Sequence, residues 1–169
     1  MSTLWPHTLY AEDQPHATAI LSTHVLFRGF QTGAVIGPLI GVARYAIRRH
    51  RAGPTQLMFP TMIRSAGTGG IVGVGILALA LVGRMQGRED IEWRDRAWRL
   101  LENKGQMEVD TWSLVGSGAG AGAAAVWGRG SGIARIRGVV GGMGLGGTAG
   151  VLWYMVWKHG INGGKWQDD

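Results

Sequence analysis

Gly29-Phe-Gln-Thr-Gly33-Ala-Val-Ile-Gly37-Pro-Leu-Ile-Gly41 and, later in the chain, Gly138-Val-Val-Gly-Gly142-Met-Gly-Leu-Gly146-Gly-Thr-Ala-Gly150 decide the reading of this sequence. In each stretch glycine returns every fourth residue, which on a helix places it on one slowly drifting face. The missing side chains let a second backbone approach closely, as helices do in lipid, where the hydrophobic effect between helices is absent. Ser65, Gly69 and Gly73, and then Gly116, Gly120 and Ala124, repeat the spacing in two further stretches.

Charge spacing around these ladders sets the fold class. Uncharged intervals run for 15 residues after Arg28, 19 after Arg64, 18 after Asp110 and 20 after Arg137. A helix needs about 20 predominantly apolar residues to cross a bilayer. The first interval reaches that length by borrowing the mostly apolar run Ala17–Phe27 or by letting its flanking arginines snorkel. The expected architecture is an all-α membrane protein, a single integral membrane domain over 1–169, with four glycine-rich transmembrane helices at about 20–43, 63–83, 111–128 and 138–157. Trp112 and Trp127 bracket the third span, and Trp153, Tyr154 and Trp157 close the fourth, as interfacial aromatic belts do.

Composition agrees. Charged residues are only 17% of the 169, glycine numbers 30, and the mean hydropathy of +0.07 averages apolar spans with charged loops. Cysteine is absent, which excludes disulfides, thiolate metal sites and cysteine nucleophiles. The excess of 17 Lys and Arg over 11 Asp and Glu does not mark a nucleic-acid binder. In the middle loop 84–110, seven acids outnumber six basic residues.

Nucleotide-like motifs fail on context. Gly142-Met-Gly144-Leu-Gly146-Gly147 fits G-x-G-x-x-G but lies inside an apolar 20-mer, with no strand before it. The Gly160–Lys165 run ends in Trp166 rather than the Ser or Thr of a phosphate loop, and Asp168 is a tail residue. His7, His16, His24, His50 and His159 are scattered, and Glu12-Asp13 beside His16 reads as a solvated tail. The expectation is a protein with no catalytic residues, cofactor or metal of its own. Arg28 is the one ionisable residue at membrane depth; snorkelling or an interhelical salt bridge explains it without a catalytic role.

Four spans place the N-terminus, loop 84–110 and the C-terminus on one side, with all eleven acids. The short loops 44–62 and 129–137, with Arg64 just beyond the first, carry eight arginines and no acid, so the positive-inside rule puts them in the matrix or cytoplasm. Within loop 84–110, Ile91, Trp93, Ala97, Trp98, Leu100 and Leu101 share one half of a helical wheel, predicting an amphipathic helix over about 88–104 on the membrane surface or against a partner. Met1–His16 contains no Lys or Arg, so no cleaved Arg-rich leader is expected.

These features resemble the Tim17/Tim22/Tim23 class of mitochondrial inner-membrane proteins. Asp110, Ser117, Gly118 and Gly122 match the downstream half of that class's local signature, an acid, six residues, a small residue and Gly, then Gly four further on. Over its whole length the chain resembles the small Trp- and Gly-rich membrane-arm accessory subunits of fungal respiratory complex I. The opening Met1-Ser-Thr-Leu-Trp5-Pro-His7-Thr-Leu-Tyr10 and the Gly-Gly-Lys165-Trp166 tail carry that likeness. The resemblance implies a non-catalytic accessory subunit of NADH:ubiquinone oxidoreductase in the mitochondrial inner membrane, with both termini in the intermembrane space; the alternative is a component of an import translocase. Its partners would be other membrane subunits of a respiratory complex. Helix packing is expected at Gly29, Gly33, Gly37, Gly41, Gly138, Gly142, Gly146 and Gly150. Phospholipid headgroups, cardiolipin among them, are expected at Arg48, Arg49, Arg51, Arg135 and Arg137.

Overall fold

The computed structural model describes residues 5–53, 58–128 and 130–161. Arg129, which the basic-loop reading used, lies outside the described residues, as do the first four residues and the 162–169 tail with Lys165, Trp166 and Asp168. Every described element is helical. A short 3-10 turn (Ala11–Asp13) precedes α1 (Ala17–Ala52), α2 (Met58–Met85), α3 (Asp90–Glu102), α4 (Lys104–Trp127) and α5 (Gly132–Met155), which runs on into a π-helical turn, Val156–Ile161.

Three helices are long and apolar enough to cross a membrane: those over Ala17–Arg51, Met58–Met85 and Gly132–Ile161. α4 is less apolar, because Lys104, Glu108 and Asp110 occupy its first two turns and Gly, Ala and Ser fill much of the rest. The first span was expected to end at residue 43 and give way to a loop. Instead α1 continues for nine more residues, through Ala52, so Arg48, Arg49 and Arg51 stand on a helix. Nothing between Arg44 and Ala52 breaks a helix, and at about 1.5 Å per residue its 36 residues extend about 54 Å, well beyond a hydrocarbon core of ~30 Å.

α1 and α2 form one antiparallel hairpin, and α4 and α5 form another. A Cβ placed on Gly29, Gly33 or Gly37 would fall 2.7 Å from the carbonyl oxygen of Gly73, 2.0 Å from that of Gly69 and 2.2 Å from that of Ser65 respectively. The α4–α5 seam is built alike: Gly116 opposes Gly146, Gly120 opposes Gly142, and Gly150 meets the Trp112 carbonyl. The hairpins join where α2 crosses α5 at Gly67 and Gly141. Phe30 wedges between Gly70 and Gly144 at the centre of the bundle.

Side-chain hydrophobic packing concentrates at one end. There Ala17 and Ile20 of α1, Ala97 and Leu101 of α3, and Met107 of α4 form a buried cluster, flanked by Trp5, Phe27, Trp93 and Leu100. α3 therefore covers much of its apolar face within its own chain, burying Ala97 and Leu101 and half-burying Trp93, Trp98 and Leu100, and leaves Ile91 exposed. The adjoining segment is pinned by Trp98 Nε1 donating to the Thr8 carbonyl at 2.9 Å and by His7 stacked on Trp98. Asn103 separates α3 from α4 and caps the latter, its side chain accepting from Gln106 N at 3.1 Å.

Candidate functional site: a buried polar seam and a basic pocket

Two polar features occupy opposite ends of the bundle. The first lies between α1 and α4, which run parallel. His24, Arg28 and Gln31 recur at one-turn spacing on α1, while Gln106, Asp110, Ser113 and Ser117 do so on α4. Asp110 is fully buried, and its carboxylate is well supplied with donors. It accepts from the Arg28 guanidinium and, at 3.1 Å, from Gln106 Nε2, while His24 Nδ1 lies 2.8 Å away. Arg28 also donates to Gln31 Oε1 at 2.8 Å, and the Gln31 amide donates to the buried Ser113 hydroxyl. Arg28 is thus half of an interhelical ion pair. The spacing of histidines in sequence gave no sign that His24 would meet Asp110, because that contact is purely tertiary.

The seam ends at Ser117. Among the described residues its hydroxyl is the one buried side-chain polar atom without a hydrogen-bond partner. Gly147 of α5 faces it so closely that a Cβ there would lie 2.5 Å from Ser117 Oγ. The residues matching the Tim17-class signature accordingly divide: Asp110 and Ser117 turn inward to the seam, whereas Gly118 and Gly122 turn outward, with nothing within 4 Å of an added Cβ.

Beside the seam, Glu108 joins α4 to α5. It accepts from the Tyr154 hydroxyl and from Lys158 Nζ at 3.0 Å. Burial raises the Glu108 pKa, but hydrogen bonds from Tyr154 and Lys158 and the Lys158 charge lower it by more, leaving it below the usual carboxylate value. Among the described residues no three His, Asp or Glu side chains cluster as a metal site would require.

The second feature is a cavity of about 240 Å³ at the other end, where α1, α2 and α5 meet. Arg44, Arg48 and Arg49 from α1, Arg64 from α2 and Arg137 from α5 line it, with Tyr45, Thr61 and Ser65. Among the described residues no carboxylate lines it. Of the five arginines expected to meet headgroups, the fold brings Arg48, Arg49 and Arg137 together here and leaves out Arg51 and Arg135. Arg135 instead donates to the Ala125 carbonyl across the α4–α5 turn at 3.2 Å. Arg44 and Arg64 join the site unforeseen. The spacing Arg44-x-x-x-Arg48 could have singled out Arg44 had α1 been extended past residue 43, but Arg64 comes from the facing helix.

The glycines expected to pack divide as well. Seven of the eight face another helix, whereas Gly138 has nothing within 4 Å of an added Cβ. Gly141, which stands outside the period of four, lies closest of all: its Cβ would be 1.9 Å from the Ile63 carbonyl oxygen.

No curated protein matches this chain. The profile of a family described as "Protein of unknown function (DUF1757)" matches residues 10–153, which is most of the chain, and the protein belongs to that family.

Proposed function

We propose that this protein is a non-catalytic accessory subunit of mitochondrial complex I, a four-span inner-membrane protein that packs on the membrane arm and supports its assembly. The observation that carries this reading is where glycine remains after the bundle has formed. Gly75 and Gly83 of α2 and Gly118 and Gly122 of α4 look outward onto open space. They sit among exposed apolar residues: Ile71, Val72, Ile76 and Leu79 on α2, Val115 and Val126 on α4. Such faces let a foreign helix approach to backbone contact.

The fourth span rests on α4's packing. It lies antiparallel along α5 from Trp112–Gly150 to Gly120–Gly142, so a membrane that holds α5 holds α4 too. The basic helix ends at the α1–α2 and α4–α5 connections then belong in the matrix, and both termini in the intermembrane space.

Deletion should lower the amount of assembled complex I while leaving turnover per intact complex nearly unchanged, as read on blue-native gels with in-gel NADH dehydrogenase staining. A point variant at a polar residue that abolished turnover with assembly intact would overturn the structural role. Cleavage of a C-terminal tag in mitoplasts without detergent is the expected topology result, and its protection would reverse the orientation. An import-translocase component is the second reading, favoured by the Asp110, Ser117, Gly118 and Gly122 pattern. Co-migration with a smaller complex lacking NADH dehydrogenase activity would select it.

A further inference from the structure

The arginine-lined cavity is unlike the rest of the molecule. Every acid of α3 and α4 is engaged or exposed at the opposite end of the bundle. Five guanidinium-bearing residues from three helices surround a space of about 240 Å³ that, among the described residues, no carboxylate lines. Like charges so placed repel one another, and an anion between them lowers the free energy of this end of the bundle. The size argues for a small group, since sites for drug-sized ligands usually run to about 300–1,000 Å³. The donor type argues for phosphate: the planar guanidinium fork matches two phosphate oxygens at once, and Tyr45, Thr61 and Ser65 add hydroxyls to the lining.

The depth argues for a lipid source. Gly41 and Ser65 belong to the packed α1–α2 seam, so the pocket begins where that seam ends and the arginine-bearing turns emerge. Exposed Ile40, Ile47, Ile133 and Ile136 lie on the same helix ends and offer apolar surface to acyl chains beside the cavity.

We propose that this pocket binds a phosphate group, supplied by an acidic phospholipid seated at the basic end of the bundle or by free phosphate. It goes beyond the accessory-subunit reading and needs only that the helices span a membrane. The test uses the full-length protein purified in neutral detergent and titrated with dioctanoyl phosphatidate, with binding read by native mass spectrometry. The pocket variants are Arg44→Gln/Arg48→Gln and Arg48→Gln/Arg137→Gln; the charge-matched control, at the same end but outside the cavity, is Arg51→Gln/Arg135→Gln. The expected result is one saturable phosphatidate per chain, weakened by roughly tenfold or more in both pocket variants and within about twofold of wild type in the control. Helix content by circular dichroism should be equal in all of them.

Inorganic phosphate at millimolar concentration provides the second arm. Failure to displace the lipid assigns the site to a headgroup, while displacement at equal concentration assigns it to free phosphate. Equal weakening in the pocket variants and the control, or no saturable binding of either probe, would overturn the site. None of these outcomes depends on which complex the protein joins, so a failure here leaves the accessory-subunit reading to its own test.

Discussion

Replacing Gly141 by alanine should loosen the junction between the two helical hairpins, and the same change at Gly138, one turn earlier on α5, should not. A Cβ at Gly141 would lie 1.9 Å from the Ile63 carbonyl oxygen, 2.8 Å from its carbon and 3.0 Å from Gly67 N. All three atoms are backbone, so no rotamer change relieves the contact. The helices must part by about 1 Å merely to bring the closest approach to ~3 Å, short of an ordinary van der Waals distance of ~3.5 Å. Overpacking of this kind typically costs about 1–3 kcal/mol. Against it stands the gain of up to about 1 kcal/mol from replacing glycine by alanine inside a helix. At Gly138 only the gain applies, because an added Cβ there meets nothing within 4 Å.

The two variants should therefore differ by the overpacking cost, toward its upper end: about 3 kcal/mol, or roughly a hundredfold in the unfolding equilibrium. Unfolding in mixed micelles by increasing mole fraction of sodium dodecyl sulfate, followed by circular dichroism, measures that difference directly. Gly67→Ala is the reciprocal probe, since its Cβ would lie 2.2 Å from the Arg137 carbonyl oxygen. It should behave like Gly141→Ala. If Gly141→Ala proved as stable as Gly138→Ala, the backbone contact between α2 and α5 would not exist as described.

Three other outcomes are expected. Arg28→Leu and Asp110→Leu should each destabilise the bundle by about 3 kcal/mol, because either strands a charge in the α1–α4 seam, and the double variant should recover much of that loss; a strictly additive double-mutant cycle would refute the pairing. Gly122→Leu should leave folding intact, since its site is open, but, under the accessory-subunit proposal, reduce incorporation into the assembled complex on quantitative blue-native blots; Gly33→Leu and Gly142→Leu should fail earlier, by forcing apart the two helices of their own hairpins. Because the folded Glu108 carboxyl is held below its ordinary value of 4.5, its stabilising effect is complete above that value and is lost as pH falls through the lowered one; the stability difference between wild type and Glu108→Gln should shrink on acidification, and a pH-independent difference would contradict the Tyr154 and Lys158 contacts.

The period of four in glycine was legible because a helix converts one-dimensional spacing directly into a face. On α1 this works cleanly, since Gly29, Gly33, Gly37 and Gly41 are its only glycines within the span and all four meet α2. α5 is different. Its glycines at 138, 141, 142, 144, 146, 147 and 150 cover most of its circumference, so more than one ladder can be drawn through them. The fold uses Gly142, Gly146 and Gly150 against α4, Gly141 against α2, Gly144 against α1 and Gly147 against Ser117. A helix with glycine on nearly every side is one surrounded by neighbours, and that signal was present in the composition although the favoured ladder obscured it. Hydropathy likewise located where α1 leaves the apolar zone but could not locate its end, because arginine, alanine and isoleucine sustain a helix as well outside lipid as within it. The amphipathic pattern of α3 showed that a face needed covering. It carried no information that Ala17, Ile20 and Met107 would cover it.

Glycine ladders bring helices together but set their register poorly. A slip of four residues along the α1–α2 seam would still place Gly33 beside Gly73 and Gly37 beside Gly69, exchanging one backbone contact for another of the same kind. On the α4–α5 seam, a slip of one turn would still oppose Gly120 to Gly146 and Gly116 to Gly150. The polar groups are not interchangeable in this way. Arg28 with Asp110 and Gln31 with Ser113 share a single offset of 82 residues, so α1 and α4 satisfy both pairs in one alignment only. Glu108 with Tyr154 does the same for α4 and α5, on the side where Gly116 meets Gly146. Shifting α1 against α4 by a turn leaves Asp110, with no exposed surface at all, beside groups that cannot answer its charge, and shifting α4 against α5 parts Glu108 from Tyr154 and Lys158. An unpaired charge in a dry interior costs several kcal/mol, more than one misplaced glycine contact. The division of labour follows: backbone contacts at glycine supply close approach, and a few tertiary polar pairs, invisible to any spacing rule, select which of several equivalent approaches the chain adopts.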